Sequence, residues 1–196
     1  MFKDSRQAMT SALGSVACSP ESSNAIFISA YHINISKDML LTTAKKQTGI
    51  IFSKPLDCHV WVEVSENSIE SIEFRRFGEV KKLPITDDLT RYFSGKPVDF
   101  LKYDVCLEGF KPFEQAVLKE TRKISYGTRI TYSELAERVE HSRAAHAVGN
   151  ALGKNPVPIV IPCHRVVGKD NIGGYSRDLE IKKRLLSLEN PSVRDS

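Results

Sequence analysis

The run Ile161-Pro162-Cys163-His164-Arg165-Val166-Val167 holds the residues best suited to chemistry. A thiol attacks as its thiolate, and basic or cationic neighbours favour that form. His164 and Arg165 follow Cys163 directly, and soft sulfur suits displacement at carbon. A cysteine beside a histidine is weak evidence in itself, because most buried cysteines are inert packing. Its surroundings add weight. Prolines bracket the apolar run Asn155-Pro156-Val157-Pro158-Ile159-Val160-Ile161-Pro162, which predicts a buried, extended segment delivering Cys163 rigidly at its end. Residues 109–190 carry 14 Lys+Arg and 9 Asp+Glu, a net +5, while the rest of the chain, with 14 and 15, is −1. A polyanion would therefore meet the C-terminal segment.

Elements must position that thiol. Pro112 opens a helix with Phe113, Val117 and Ile124 on one side, ended by Tyr126-Gly127. Thr131-Tyr132-Ser133-Glu134 matches a capping box ahead of Leu135, Ala136 and Val139. After a turn at Glu140-His141, Ser142 is placed to cap a second helix on Ala144, Ala147, Val148, Ala151 and Leu152, with Gly153 as its stop. The pair reads as a helix-turn-helix. Arg143, His146 and Asn150 recur at three- and four-residue spacing opposite the alanines, a face able to meet phosphates and base edges. An ordinary polar helix surface would look the same. Gly173-Gly174-Tyr175-Ser176 can wall a pocket, because glycine lets backbone approach a ligand. A helix over 179–188 turns Ile181, Leu185 and Leu188 inward, and Glu189 at its end reads as a solvated acid.

The N-terminal half is less informative. His-Val-Trp-Val-Glu-Val over 59–64 and Ser-Ile-Glu-Ser-Ile-Glu-Phe over 68–74 alternate and read as a hairpin turning at Glu66-Asn67. Residues 87–93 read as a short helix stopped by Ser94-Gly95-Lys96-Pro97, and 26–35 as a strand. The expected division is an extension over 1–48, a small domain over 49–107, a second over 108–190 and a tail over 191–196. No apolar run approaches the roughly 18 residues of a membrane span. The N-terminus lacks the continuous apolar stretch of a secretory signal. Four cysteines without paired spacing fit reduced thiols. A cytoplasmic chain is expected, or a nuclear one in a nucleated cell. Cys18, His32, Cys58 and His59 do not form a recognised zinc spacing, so no metal is assigned.

Taken together, Pro162-Cys163-His164-Arg165-Val166, Asn155-Pro156-Val157-Pro158, Tyr132 and Gly174-Tyr175-Ser176 resemble the O6-alkylguanine-DNA alkyltransferases, also called methylated-DNA–protein-cysteine methyltransferases. The resemblance is strong over 110–189. It extends weakly to 87–100 and to the hairpin, and does not reach 1–48. It implies an α+β fold with two parts. The first is a small RNase H-like α/β domain with an antiparallel sheet. The second is a mostly helical domain containing a winged-helix-like helix-turn-helix.

The resemblance further implies a monomer that binds duplex DNA containing O6-alkylguanine, with O4-alkylthymine a second substrate. The base is flipped out, and Cys163 accepts its alkyl group once, without metal or organic cofactor. His164, with a water and Glu189, would take the thiol proton. Asn155 would hold the turn before Cys163, and Tyr132 would protonate the departing guanine. Arg143, His146, Asn150 and Arg165 would contact DNA. Val166, Gly174, Tyr175 and Ser176 would wall the base pocket, and Lys182 would face it.

One departure stands out. His146 occupies the recognition-helix position where the family usually has arginine, and the loop from Arg165 to Tyr175 is a residue short. Three other classes remain open at this point. A lesion-binding module would lack the nucleophile, which is present here. An alkylation-sensing regulator would bind a specific promoter. A cysteine hydrolase would turn over, yet no oxyanion-hole pattern is visible.

Overall fold

The computed structural model describes residues 45–66 and 68–190. The expected strand over 26–35, the tail over 191–196 and Asn67 of the hairpin turn lie outside the described residues. The first strand, β1 (Lys46–Ser53), starts ahead of the expected domain boundary at 49, in a stretch whose alternation is too irregular to read. It pairs antiparallel with β2 (Cys58–Ser65), which pairs antiparallel with β3 (Ser68–Arg75). The alternation in β2 places Val60 and Val62 fully inside, opposite Phe74 and Ile72 of β3. A short β4 (Asp104–Val105) then adds parallel to β3. The sheet is therefore mixed, which corrects the expectation of a purely antiparallel one.

Helix α1 (Pro84–Phe93) begins earlier than expected, with proline at its first turn. Ile85, Leu89, Tyr92 and Phe93 form its buried stripe. It lies close on β1: a Cβ at Gly49 would stand 2.6 Å from the Thr86 side chain.

The remaining helices are α2 (Pro112–Thr121), α3 (Tyr132–Arg138), α4 (Ala145–Gly153) and α5 (Leu179–Glu189). α2 ends before the expected stop at Tyr126. Ile124 is nevertheless buried, so the apolar spacing outlasts the helix. The capping box of α3 is in place: Thr131 Oγ1 accepts from the Glu134 N–H, and Glu134 accepts from the Thr131 N–H. α4 starts later than expected. Ser142 and Arg143 belong to the turn before it, its N-cap is Ala144 without a side-chain bond, and Gly153 is its last residue rather than its stop. Just before α3, β5 (Ile130–Thr131) pairs parallel with β6 (Val166–Val167), which precedes α5. One continuous apolar core runs from Val62 and Ile72 of the sheet through Leu89 to Leu118, Leu135, Val148 and Leu185. The C-terminal segment also bonds to the sheet, where the Ile72 N–H donates to the Pro156 carbonyl at 2.9 Å. Among the described residues, no helix is long and apolar enough to cross a membrane.

Candidate active site

The proline-bracketed segment is buried, as its composition predicts, but it is not an extended strand. It folds into a turn closed by Asn155, whose Oδ1 accepts from the Val157 N–H at 3.0 Å and whose Nδ2 donates to the Ile161 carbonyl at 2.8 Å. Ile159 sits at φ +77 in this turn, a left-handed conformation costly for a β-branched residue. Prolines cannot fill ladder positions, which is why the run turns instead of extending. The turn leads into a 3-10 turn over Cys163–Arg165. Asn155 Nδ2 also donates to Cys163 Sγ at 3.0 Å. The same amide therefore sets the turn and contacts the sulfur.

Behind the thiol lies a buried ionic network. His164 is fully buried, and its Nε2 stands 2.8 Å from Glu189 Oε1. Arg165 donates to Glu189 through Nε and Nη2 and to the Ile124 carbonyl through Nη1. The Gly127 N–H and the Tyr92 hydroxyl also donate to the same carboxylate, at 3.2 and 2.7 Å. Burial alone would raise the Glu189 pKa. The hydrogen bonds and charges of His164 and Arg165 outweigh it and hold the carboxyl well below the usual range. Burial lowers the His164 pKa, with Glu189 opposing and Arg165 and Lys182 assisting, which favours neutral imidazole. His164 Nδ1 is buried and has no hydrogen-bond partner among the described residues. Burial raises the Cys163 thiol, while Asn155, Tyr175 and Lys182 act against it.

In front of the thiol a cavity of ≈ 530 Å³ opens, lined among others by Tyr132, His146, Asn150, Tyr175 and Ser176. That volume suits a small organic group. Its far wall is fixed by backbone. Gly174 O accepts from the Tyr132 hydroxyl at 3.2 Å and from Lys182 Nζ at 3.0 Å, and Lys182 also reaches Val166 O at 2.7 Å. Burial pulls the Lys182 pKa down to about 8, with Cys163 opposing. Gly173 has φ +71, and a Cβ there would fall 2.7 Å from the Tyr132 ring. It is thus Gly173, rather than its neighbour, whose lack of a side chain the loop requires.

A buried thiol beside a buried imidazole whose ring a carboxylate holds is a set of groups able to serve as nucleophile and base. Known proteins share this chain. A family model described as "6-O-methylguanine DNA methyltransferase, DNA binding domain" matches residues 112–191. A methylated-DNA–protein-cysteine methyltransferase of Sulfolobus acidocaldarius is 37% identical over 154 residues, covering 78% of this chain and 88% of the relative. The chain belongs to the methylated-DNA–protein-cysteine methyltransferase family.

Solved structures agree. The O6-methylguanine methyltransferase of Mycobacterium tuberculosis superposes with TM-score 0.63 at 26% identity, covering 78% of this chain and 97% of that one. A structure of the M. tuberculosis protein in complex with DNA superposes with TM-score 0.63 at 27% identity, covering 74% and 93%.

Within this family framework, several expected placements change. Cys163, Tyr132, His146, Asn150, Gly174, Tyr175 and Ser176 meet at one cavity. Arg165 does not present itself to DNA: it is 6% exposed and engaged by Glu189 and Ile124. Val166 is fully buried and contributes its carbonyl rather than a pocket wall. Arg143 is exposed, but it precedes α4 instead of sharing a helical face with His146 and Asn150. Glu189 is buried, not solvated. Cys18 and His32 lie outside the described residues, and among the described residues no His/Cys/Asp/Glu cluster could hold a metal.

Two participants escape the sequence reading. Arg177 donates to the Asn155 carbonyl at 3.2 Å, tying the cavity loop to the turn before Cys163. Tyr92 enters from α1. Neither carries a local signal, since each partner is distant along the chain.

Proposed function

We propose that this methyltransferase repairs DNA by moving an alkyl group from O6 of guanine to Cys163 Sγ, once per molecule. The observation that carries this reading is the buried thiol between an open cavity and the His164–Glu189–Arg165 network. The thiol proton passes through a water to His164 Nδ1, the ring nitrogen that has no partner among the described residues. Sulfur attacks the alkyl carbon in line, a C–S bond forms and the C–O6 bond breaks. Tyr132 protonates the departing guanine, and the alkylated protein is a stable thioether. No metal or organic cofactor is required.

Reaching O6 needs the base outside the duplex. α4 would enter the minor groove, with His146 and Asn150 on its exposed side and Arg143 on the adjoining turn meeting the backbone. Asn155 holds the nucleophile, Tyr175, Ser176 and Gly174 enclose the base, and Lys182 fixes the loop that carries them. O4-alkylthymine presents a similar exocyclic alkyl ether and is a second substrate. Under this reading the sheet with α1 is the RNase H-like part, and α3–α4 the winged-helix-like part. The chain acts as a monomer.

The test is intact mass after incubation with a duplex bearing one O6-methylguanine. The expected result is a single methyl adduct at Cys163, absent in Cys163→Ala. Product formed beyond one equivalent, or no adduct, would overturn the proposal.

A further inference from the structure

The mechanism above leaves unused a buried phenol that touches its ionic network. Tyr92 of α1 is fully buried, 97 residues from Glu189 and 72 from His164 along the chain. Its hydroxyl donates to Glu189 Oε1 at 2.7 Å and stands 3.3 Å from His164 Nε2. Phe93, Phe100 and Tyr126 pack edge-on around its ring and fix the hydroxyl in place. Burial, then the charge of Glu189, raises the phenol well above its ordinary pKa, so it stays a donor.

The hydrogen-bond pattern fixes the histidine tautomer. An ionised carboxylate only accepts, so the His164 nitrogen 2.8 Å from Glu189 Oε1 must carry the hydrogen. Nδ1 is then the free acceptor. Oε1 thus receives Tyr92, His164 and Arg165 together. Tyr92 competes with His164 for that oxygen. Each donor reduces the negative charge left to stabilise a protonated imidazole.

We propose that Tyr92 is a positioning residue for alkyl transfer, sharing Glu189 Oε1 with His164 Nε2 so that the carboxylate orients the ring while His164 remains a neutral base through Nδ1. The inference rests on the reading of His164 as the base for Cys163. The other charged groups acting on His164 are Glu189 and Lys182 of α5 and Arg165 of its own turn, while Tyr126, after α2, meets Tyr92 and Arg165 instead. None of them changes in the variants below.

Tyr92→Phe keeps the ring and removes the hydroxyl. With one donor fewer, Glu189 stabilises imidazolium better, and His164 stays protonated to higher pH. Single-turnover methyl transfer to the full chain would be followed by intact mass across pH, with rates normalised to the fraction of chains finally alkylated. Misfolded molecules then do not count. The expected result is an acidic limb displaced to higher pH, with a few-fold loss on that limb and little change on the alkaline side. Incorporation of 3-fluorotyrosine at 92, a stronger donor of nearly the same shape, should displace the limb to lower pH. A purely space-filling Tyr92 would leave both profiles on the wild-type curve, and that result would overturn the proposal. If the wild-type chain takes no methyl group on Cys163, the reading of the reaction fails, and this inference with it. If the wild type transfers normally and both profiles stay unmoved, only the role of Tyr92 fails.

Discussion

The two sides of Cys163 are built differently. Behind it, Glu189 alone accepts from Tyr92, Gly127, His164 and Arg165, and all but Gly127 are buried. In front of it, α4 shows His146 and Asn150 to solvent, joined by one contact at 3.4 Å. The inner side, which the proposed reaction uses to hold its base, has its hydrogen bonds in place without any ligand. The outer side, under the proposed function, would acquire its partners only on binding DNA. Chemistry that needs one fixed tautomer is served by the first arrangement. Recognition of a flexible polyanion is served by the second.

Breaking the inner side should have the largest effect. Glu189→Gln leaves the Arg165 guanidinium buried without its counter-charge. Loss of one partner of a buried pair typically costs about 3–5 kcal/mol. Urea unfolding should show a midpoint lowered accordingly, and methyl transfer should fall with it at neutral pH. A variant with wild-type stability would show that the network is not a structural centre.

Acid should reach the same side next. The folded-state pKa of His164 lies below its ordinary value of 6.5, so the unfolded chain binds a proton there that the native chain refuses. Stability contributed this way is present above pH 6.5 and declines as pH falls below it. Glu189 is also depressed, so its contribution is present above the ordinary carboxylate value of 4.5 and is lost below it. Urea midpoints measured downward from pH 8 should therefore fall in two stages, and Glu189→Gln should lack the lower one. A flat profile down to pH 5 would contradict the buried neutral histidine.

The same contrast explains what the sequence discloses. The hairpin strands, the capping box at Thr131 and the proline start of α2 depend on neighbours a few residues apart, so they are legible. The exposed side of α4 is legible for the same reason: His146 and Asn150 share a face by helical periodicity. The nucleophile's motif is equally local. The inner network is not. Tyr92, Ile124 and Gly127 reach Arg165 and Glu189 only through the packing of α1 and the segment after α2. Arg165 therefore reads as a DNA contact in a basic segment, whereas folding makes it a buried partner of Glu189. The turn before Cys163 reads as a strand because apolar content reports burial, while its shape depends on one side-chain amide.

Changing the outer side should act on delivery of the base without touching the reaction. His146→Arg adds a permanent cation able to stack at the cavity edge. A cation over an aromatic ring contributes about 1 kcal/mol, or roughly five-fold in rate. Methyl transfer from duplex DNA should accelerate by about that factor, while transfer from the free base O6-benzylguanine, which needs no flipping, stays unchanged. Acceleration of both substrates alike would place His146 with the chemistry instead of with base delivery. Thermal midpoints should match within error, since the side chain is exposed.

Arg143 should give the smallest effect and the cleanest separation of the two sides. It is exposed on the turn between α3 and α4, and among the described residues it makes no salt bridge. If it meets one phosphate, Arg143→Ala removes one released counterion, and the slope of log K against log salt should become shallower by about 0.9. The loss should be equal for methylated and unmodified duplex, because a phosphate contact carries no information about the base. The transfer rate at saturating DNA should stay at the wild-type value. A loss confined to methylated duplex would mean that the turn helps to hold the flipped state, and the boundary between delivery and chemistry would have to be drawn nearer the cavity.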